Sequence, residues 1–168
     1  MRAIGILTAI SLLAACSDLP PGLSEMSSLQ DSAVLVPAPG QPGELFPNKE
    51  DMTVAAKAFA ARDYGTAMMA YRKAIDLAPA DPQAWLGYAA SADMLGQFDV
   101  SDHAYKQLEQ AIGDRVEFLN NYGYSQMLRG NLVRARAIFE TALEKDPNNK
   151  VTLNNLAMLT YIIEQQAS

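Results

Sequence analysis

Two segments decide the fold: residues 64–79 read YGTAMMAYRKAIDLAP, and residues 132–147 read LVRARAIFETALEKDP. Each segment carries alanine, an aromatic residue, alanine and proline at the same spacing. The offset from position 64 to position 132 equals two periods of about 34 residues, which predicts a repeat of that length with one further copy in between. A period of this size indicates a helix–turn–helix solenoid, an architecture whose surfaces bind other chains.

The intermediate copy, residues 82–115, is present but less regular. It has Ser101 and Leu108 where the other copies have alanine, and Gly113 where they have proline. Because leucine is larger than alanine, Leu108 predicts looser helix packing in this copy. Trp85, the only tryptophan, falls at a position where we expect a core anchor.

The predicted fold is all-α, a solenoid of three helix pairs with a C-terminal capping helix. Its repeats cover residues 48–81, 82–115 and 116–149, and the cap covers residues 150–165. A terminal helix needs a polar outer face, which the exposed end of the cap would supply. The expected helices span residues 50–62, 65–78, 82–95, 99–112, 115–129, 132–145 and 149–165, and the expected polar residues are Glu164, Gln165 and Gln166.

This pattern resembles the tetratricopeptide repeat (TPR) over residues 48–165, most closely in the first and third copies. The resemblance implies a TPR-like α-solenoid whose first helices line a concave groove for a protein partner, either an extended peptide or a helix. By this resemblance the partner-binding groove consists of Met52, Phe59, Leu86, Met94, Asn120, Asn121, Tyr124, Met127, Asn154, Asn155, Met158 and Tyr161.

Two pairs of asparagines lie one repeat apart in this predicted groove, at 120–121 and 154–155. One interpretation is that stacked amides hold an extended chain in register, since an amide both donates and accepts hydrogen bonds. The other is that they form hydrogen bonds between repeats or solvate the helix starts. Both alternatives are open at this point.

The remaining groove positions bear on the chemistry of the partner. By the resemblance, Gly87, Asp93 and Glu117 also face the groove, which then contains almost no cations. Such a surface would repel a carboxylate, so the groove is not the carboxylate clamp of the chaperone-binding TPR domains.

Residues 1–15 predict a lipoprotein signal peptide. Arg2 precedes a short apolar run that is too short to span a bilayer, and Cys16 is the only cysteine. Residues 13–16, LAAC, resemble the bacterial lipobox, which implies acylation of Cys16 and attachment to the membrane. Ordinary secretion is less favoured, because a small residue is expected at the position of Leu13. An uncleaved anchor is the other alternative.

Residues 16–47 predict an acylated, disordered tether that holds six of the nine prolines. By the resemblance to bacterial lipoproteins, the neutral Ser17 after the cysteine implies the periplasmic face of the outer membrane. Asp18 lies one place later, and in that family an aspartate directly after the cysteine favours the inner membrane. Residues 33–36, AVLV, form a short apolar run that would either contact the first helix pair or lie in the groove in competition with a partner.

Composition argues against several classes of function. A net charge of −6 argues against nucleic acid. His103 is the only histidine, and we expect it on a solvated helix face. We therefore predict no catalytic residues, no metal site and no cofactor, and make no prediction of oligomeric state.

These features predict a membrane-anchored periplasmic scaffold rather than an enzyme. The combination resembles the TadD-type lipoproteins of tight-adherence (Flp) pilus loci and the pilotins of secretins, which implies a role in assembling an envelope machine. The alternative is an adaptor lipoprotein that presents peptidoglycan hydrolases or a periplasmic protease. A soluble periplasmic ligand binder is a third class, and it would require Cys16 without lipid.

Overall fold

The structure, a computed structural model, describes residues 48–167. The predicted signal peptide, Cys16, the tether and its apolar run at 33–36 lie outside the described residues. Seven α-helices and no strands form the described part, which confirms the all-α prediction. The helices are α1 (Lys49–Ala60), α2 (Tyr64–Leu77), α3 (Pro82–Met94), α4 (Phe98–Ile112), α5 (Val116–Leu128), α6 (Leu132–Lys145) and α7 (Lys150–Ala167).

Aspartate side chains cap the starts of two helices, α2 and α3. Asp63 caps α2 by accepting a hydrogen bond from the backbone N–H of Thr66 at 3.1 Å. Asp81 caps α3 through the N–H of Gln83 at 2.9 Å, and Pro82 occupies the first helical position, where no N–H is needed.

The helices form two layers. Consecutive helices pack against each other, and the first helices of neighbouring units, α1, α3, α5 and α7, also approach one another. Within residues 48–167 the second helices, α2, α4 and α6, do not approach each other to a comparable degree. The array therefore curves with the first helices on its inner, concave side, the geometry of a TPR-like solenoid.

The aromatic residues of the repeat pack against glycines of the adjacent helices. Tyr71 and Phe139 are fully buried. A Cβ atom at Gly87 would overlap the Tyr71 ring, and one at Gly123 would lie 2.6 Å from Cε1 of Phe139. The placement of Gly87 in the groove is therefore wrong, because Gly87 faces the Tyr71 ring.

The joint between α4 and α5 is more open than the other joints. The backbones of α4 and α5 approach each other over a much shorter stretch than the backbones of α2 and α3 do. Buried Leu108 fills the space together with stacked rings, and the centroid of the Tyr105 ring lies 5.8 Å from Phe118 and 5.2 Å from Tyr122. The predicted loosening around Leu108 is confirmed.

Helix α7 caps the array. Its last turns expose Glu164, Gln165 and Gln166, as predicted, but Leu153 near its start is 44% exposed, so the outer face is only partly polar. In the part of the chain described, none of the helices combines the length and apolar character that crossing a membrane requires.

Candidate functional site

Most side chains of the predicted groove are buried within the array. Eight of them pack inside the inner layer, and the other four remain partly accessible. In this conformation only the four accessible residues can meet a partner directly, and the eight buried residues lie in the interior of the array. The buried residues are Met52, Leu86, Asn120, Asn121, Tyr124, Met127, Asn155 and Met158, and the accessible ones are Phe59, Met94, Asn154 and Tyr161.

The asparagine pairs link neighbouring repeats. The side-chain amide of Asn155 donates to Oδ1 of Asn120 at 2.8 Å, and both residues are fully buried. The backbone carbonyl of Asn121 lies 3.1 Å from the Tyr105 hydroxyl oxygen of the preceding repeat. Buried amides require partners, and the neighbouring repeat supplies one to the side-chain nitrogen of Asn155 and to Oδ1 of Asn120. Of the two interpretations of the asparagines, hydrogen bonding between repeats is the one that this geometry supports.

A row of apolar side chains remains accessible at the same position of every unit. Ala60, Met94, Leu128 and Ile162 follow one another at intervals of one repeat, and we call them the concave strip. None of the four is buried, and Leu128 is 38% exposed. Met94 and Ile162 pack against the same apolar core cluster, so these two strip residues rest on a shared hydrophobic support. The repeat spacing alone identifies this row.

A polar network centred on Asp93 lies beneath the concave face. Asp93 is only 4% exposed. Its carboxylate accepts hydrogen bonds from the Tyr105 hydroxyl at 2.9 Å and the Ser125 hydroxyl at 2.8 Å, and Arg129 lies 3.6 Å away. Burial raises the pKa of Asp93, while the hydrogen bonds and Arg129 act in the opposite direction. The placement of Asp93 in the groove is therefore wrong.

Arg129 connects this network to the outer layer. Its guanidinium donates to Oδ2 of Asp102 at 2.8 Å and to the hydroxyls of Ser101 and Ser125, each at 3.0 Å. It also lies over the Phe98 ring, 4.7 Å from the centroid. Ser101, which interrupts the alanine pattern of the middle copy, is thus a member of the network. The serine in place of the repeat alanine at position 101 is the feature of the sequence that marks this network.

A pair of matched tyrosine substitutions tests the network. Tyr105→Phe should lower the free energy of unfolding by about 1–3 kcal/mol, because Asp93 loses a hydrogen bond in a buried site. Tyr71→Phe, at the equivalent position of the first copy, should be neutral or stabilising, because its buried hydroxyl has no hydrogen-bond partner among the described residues. Urea denaturation measures both. Equal losses of unfolding free energy in the two variants would contradict a hydrogen bond between Tyr105 and buried Asp93.

Across residues 48–167, no three side chains of His, Cys, Asp or Glu come together as a possible metal site. The concave strip keeps apolar side chains accessible on the inner layer, so what the arrangement offers there is contact with another chain.

Comparisons with known proteins agree with the fold. No protein-family model matches the chain. Over 118 residues it is 30% identical to the small glutamine-rich tetratricopeptide repeat-containing protein 2 of Mycosarcoma maydis, covering 66% of this chain and 34% of that protein. Over 100 residues it is 31% identical to the protein O-mannosyl-transferase TMTC1 of Mus musculus, covering 57% of this chain and 11% of that protein.

The chain therefore spans about a third and about a tenth of these two relatives. The first relative is named for its tetratricopeptide repeats. Together with the two-layer array of helix pairs, this similarity supports a TPR family and a surface for protein–protein interaction. The chain is a TPR-like helical solenoid with distant relatives among tetratricopeptide repeat proteins, and it has the architecture of a protein-binding scaffold.

Proposed function

We propose that the chain is a membrane-anchored periplasmic scaffold that binds a protein partner on its concave strip. Its role would be in assembling an envelope machine such as a Flp/Tad-type pilus or its secretin. The concave strip carries the proposal, since it repeats an accessible apolar side chain in every unit. Removing such a surface from water favours association by about 25 cal/mol per Å², against which the entropic cost of association must be set.

The spacing of the strip favours a helix as the partner segment. Packed helices lie about 8–10 Å apart, so successive strip residues on neighbouring first helices are separated by a similar distance. A helix rises about 10.5 Å over seven residues and returns to the same face, whereas same-face residues of a strand lie about 7 Å apart. We therefore expect a partner helix with an apolar residue at every seventh position.

The membrane anchor rests on the sequence around Cys16. Cys16→Ser should move the protein from the membrane fraction to the soluble fraction and abolish incorporation of a labelled fatty acid. Ser17→Ala is the matched control and should remain in the membrane fraction with its label. A Cys16→Ser protein that still carries label and stays in the membrane would contradict acylation at this residue.

Charge placed on the strip tests partner binding. Leu128→Glu should reduce copurification of a secretin or pilus component at least tenfold, because a carboxylate would have to be buried in the interface. Val133→Glu is the control, since Val133 is 86% exposed on the outer helix α6. Equal copurification by both variants would contradict the site. Specific copurification of a peptidoglycan hydrolase or protease would replace pilus assembly with the adaptor function.

A further inference from the structure

An aromatic cleft lies on the outer side of the array, away from the concave strip. It has a volume of about 600 Å³ and lies between α2, α3 and α4. The Trp85 ring lies 6.3 Å from Tyr88 and 6.5 Å from His103, measured between ring centroids. Trp85 is partly exposed here, so it is not only the core anchor that its position predicts, and exposed His103 faces it. We call this site the outer cleft.

The outer cleft presents mainly ring faces, and exposed Asp99 is the acidic residue of its lining outside the Arg72–Asp76 pair. The indole N–H of Trp85 already donates to the backbone carbonyl of Pro79 at 2.9 Å. Arg72, at the edge, is paired with Asp76 at 3.3 Å. Grooves lined by aromatic side chains are the usual docking surface for proline-rich segments in the polyproline II conformation, which lose little conformational entropy on binding. The outer cleft therefore suits an uncharged, proline-rich chain.

The beginning of the described domain is fixed beside this cleft. The side-chain amide of buried Asn48 donates to Oδ2 of Asp81 at 2.8 Å and to the carbonyl of Ala74 at 3.4 Å. Asp81 lies one helical turn before Trp85, whose backbone N–H donates to the Asp81 carbonyl. Pro79, which lines the outer cleft, belongs to the same loop. Asn48, the first described residue, is thus fixed beside the loop that lines the cleft.

We propose that the outer cleft binds residues 37–42 of this same chain, PAPGQP, in the polyproline II conformation. In this conformation the six residues would extend about 19 Å. That length is comparable to the length of the row formed by the three rings and the residues beside them. The five residues at 43–47 reach up to about 17 Å, which bridges Asn48 and the cleft. The segment carries no charge, so it leaves the Arg72–Asp76 pair intact.

The short connection makes this segment a better occupant than other prolines of the chain. A short flexible connection gives an effective concentration in the millimolar range, enough to saturate a weak site. Pro20 and Pro21 would have to close a loop several times longer, at a greater entropic cost. This contact does not depend on membrane anchoring or on the partner of the concave strip.

Trp85 reports on the cleft without any label, because it is the only tryptophan in the chain. The test uses the full chain with Pro37, Pro39 and Pro42 all replaced by alanine, and measures acrylamide quenching of Trp85 fluorescence. Loss of the bound segment should raise the quenching constant about twofold. The control, with Pro20 and Pro21 replaced by alanine, should behave as the wild type.

Helical circular dichroism should be the same in all three proteins, since the substitutions precede the described helices. A synthetic PAPGQP peptide at millimolar concentration should lower the quenching constant of the triple variant toward the wild-type value. An unchanged quenching constant in the triple variant would overturn the proposal, and so would an equal rise in the control. A wild-type protein that is protected only after a proline-rich partner is added would also overturn it.

Discussion

Arg129→Met should lower the free energy of unfolding by about 3–5 kcal/mol, because it leaves the buried Asp93 carboxylate without its cation. The hydroxyls of Tyr105 and Ser125 would remain as partners, but neither carries charge. Methionine keeps much of the arginine side-chain volume, so the loss reports on the charge rather than on a cavity. Urea denaturation at neutral pH measures it.

Acidification should reduce this loss. Burial raises the pKa of Asp93, so the folded protein binds its proton more tightly than the unfolded chain does. Stability from this group is therefore fully present below the unfolded pKa and is lost as the pH rises through the higher folded pKa. In Arg129→Met the folded pKa should rise further, because the positive charge is gone. The variant should thus approach wild-type stability at acidic pH.

Two controls distinguish the contribution of the buried Arg129–Asp93 pair to stability from that of the more exposed Arg129–Asp102 pair. Asp102→Asn removes the partner that is 51% exposed and should cost less than about 1 kcal/mol. Asp93→Asn combined with Arg129→Met removes both buried charges and should recover part of the loss. A loss in Arg129→Met no larger than that in Asp102→Asn would contradict a buried network.

Phe139→Ala should also destabilise the array, by about 3–5 kcal/mol. The Phe139 side chain is fully buried and packs directly on Gly123 of the preceding helix, so truncation leaves a cavity between α5 and α6. The third unit connects the cap to the rest of the array. Since solenoid units are stabilised by their neighbours, the loss should extend to α7 and reduce its protection from hydrogen exchange.

Val133→Ala is the matched control on the same helix. Val133 is 86% exposed, so its truncation should change stability by less than about 0.5 kcal/mol. Thermal or urea unfolding distinguishes the two variants readily. A Phe139→Ala protein as stable as the Val133→Ala protein would contradict a stabilising role for Phe139 between α5 and α6.

The repeat predicted the helices well because its signals act within one unit. Alanine at the closest helix approach, an aromatic residue one turn later and a helix-ending proline all depend on local spacing. Asp81 and Pro82 likewise start α3 through neighbouring backbone groups. Such features can be recognised in a single copy of the repeat, so the number and order of the helices could be predicted from the sequence.

Contacts between units were harder to predict. The hydrogen bond between Asn155 and Asn120 depends on how closely α7 approaches α5, which no local pattern specifies. The burial of Asp93 depends on Ser125 and Arg129, which lie about one repeat later. The partial exposure of Trp85 depends on the position of α4. These are properties of the superhelix rather than of one unit.

Site-specific photocrosslinking in cells tests most directly whether a partner lies on the concave strip. A photoreactive amino acid at Leu128 should yield a single specific crosslinked protein, and the crosslinked peptide should have apolar residues at seven-residue spacing. The same amino acid at Val133, on the outer helix, should yield none. Equal crosslinking from both positions, or crosslinking only from Val133, would contradict a partner site on the concave strip.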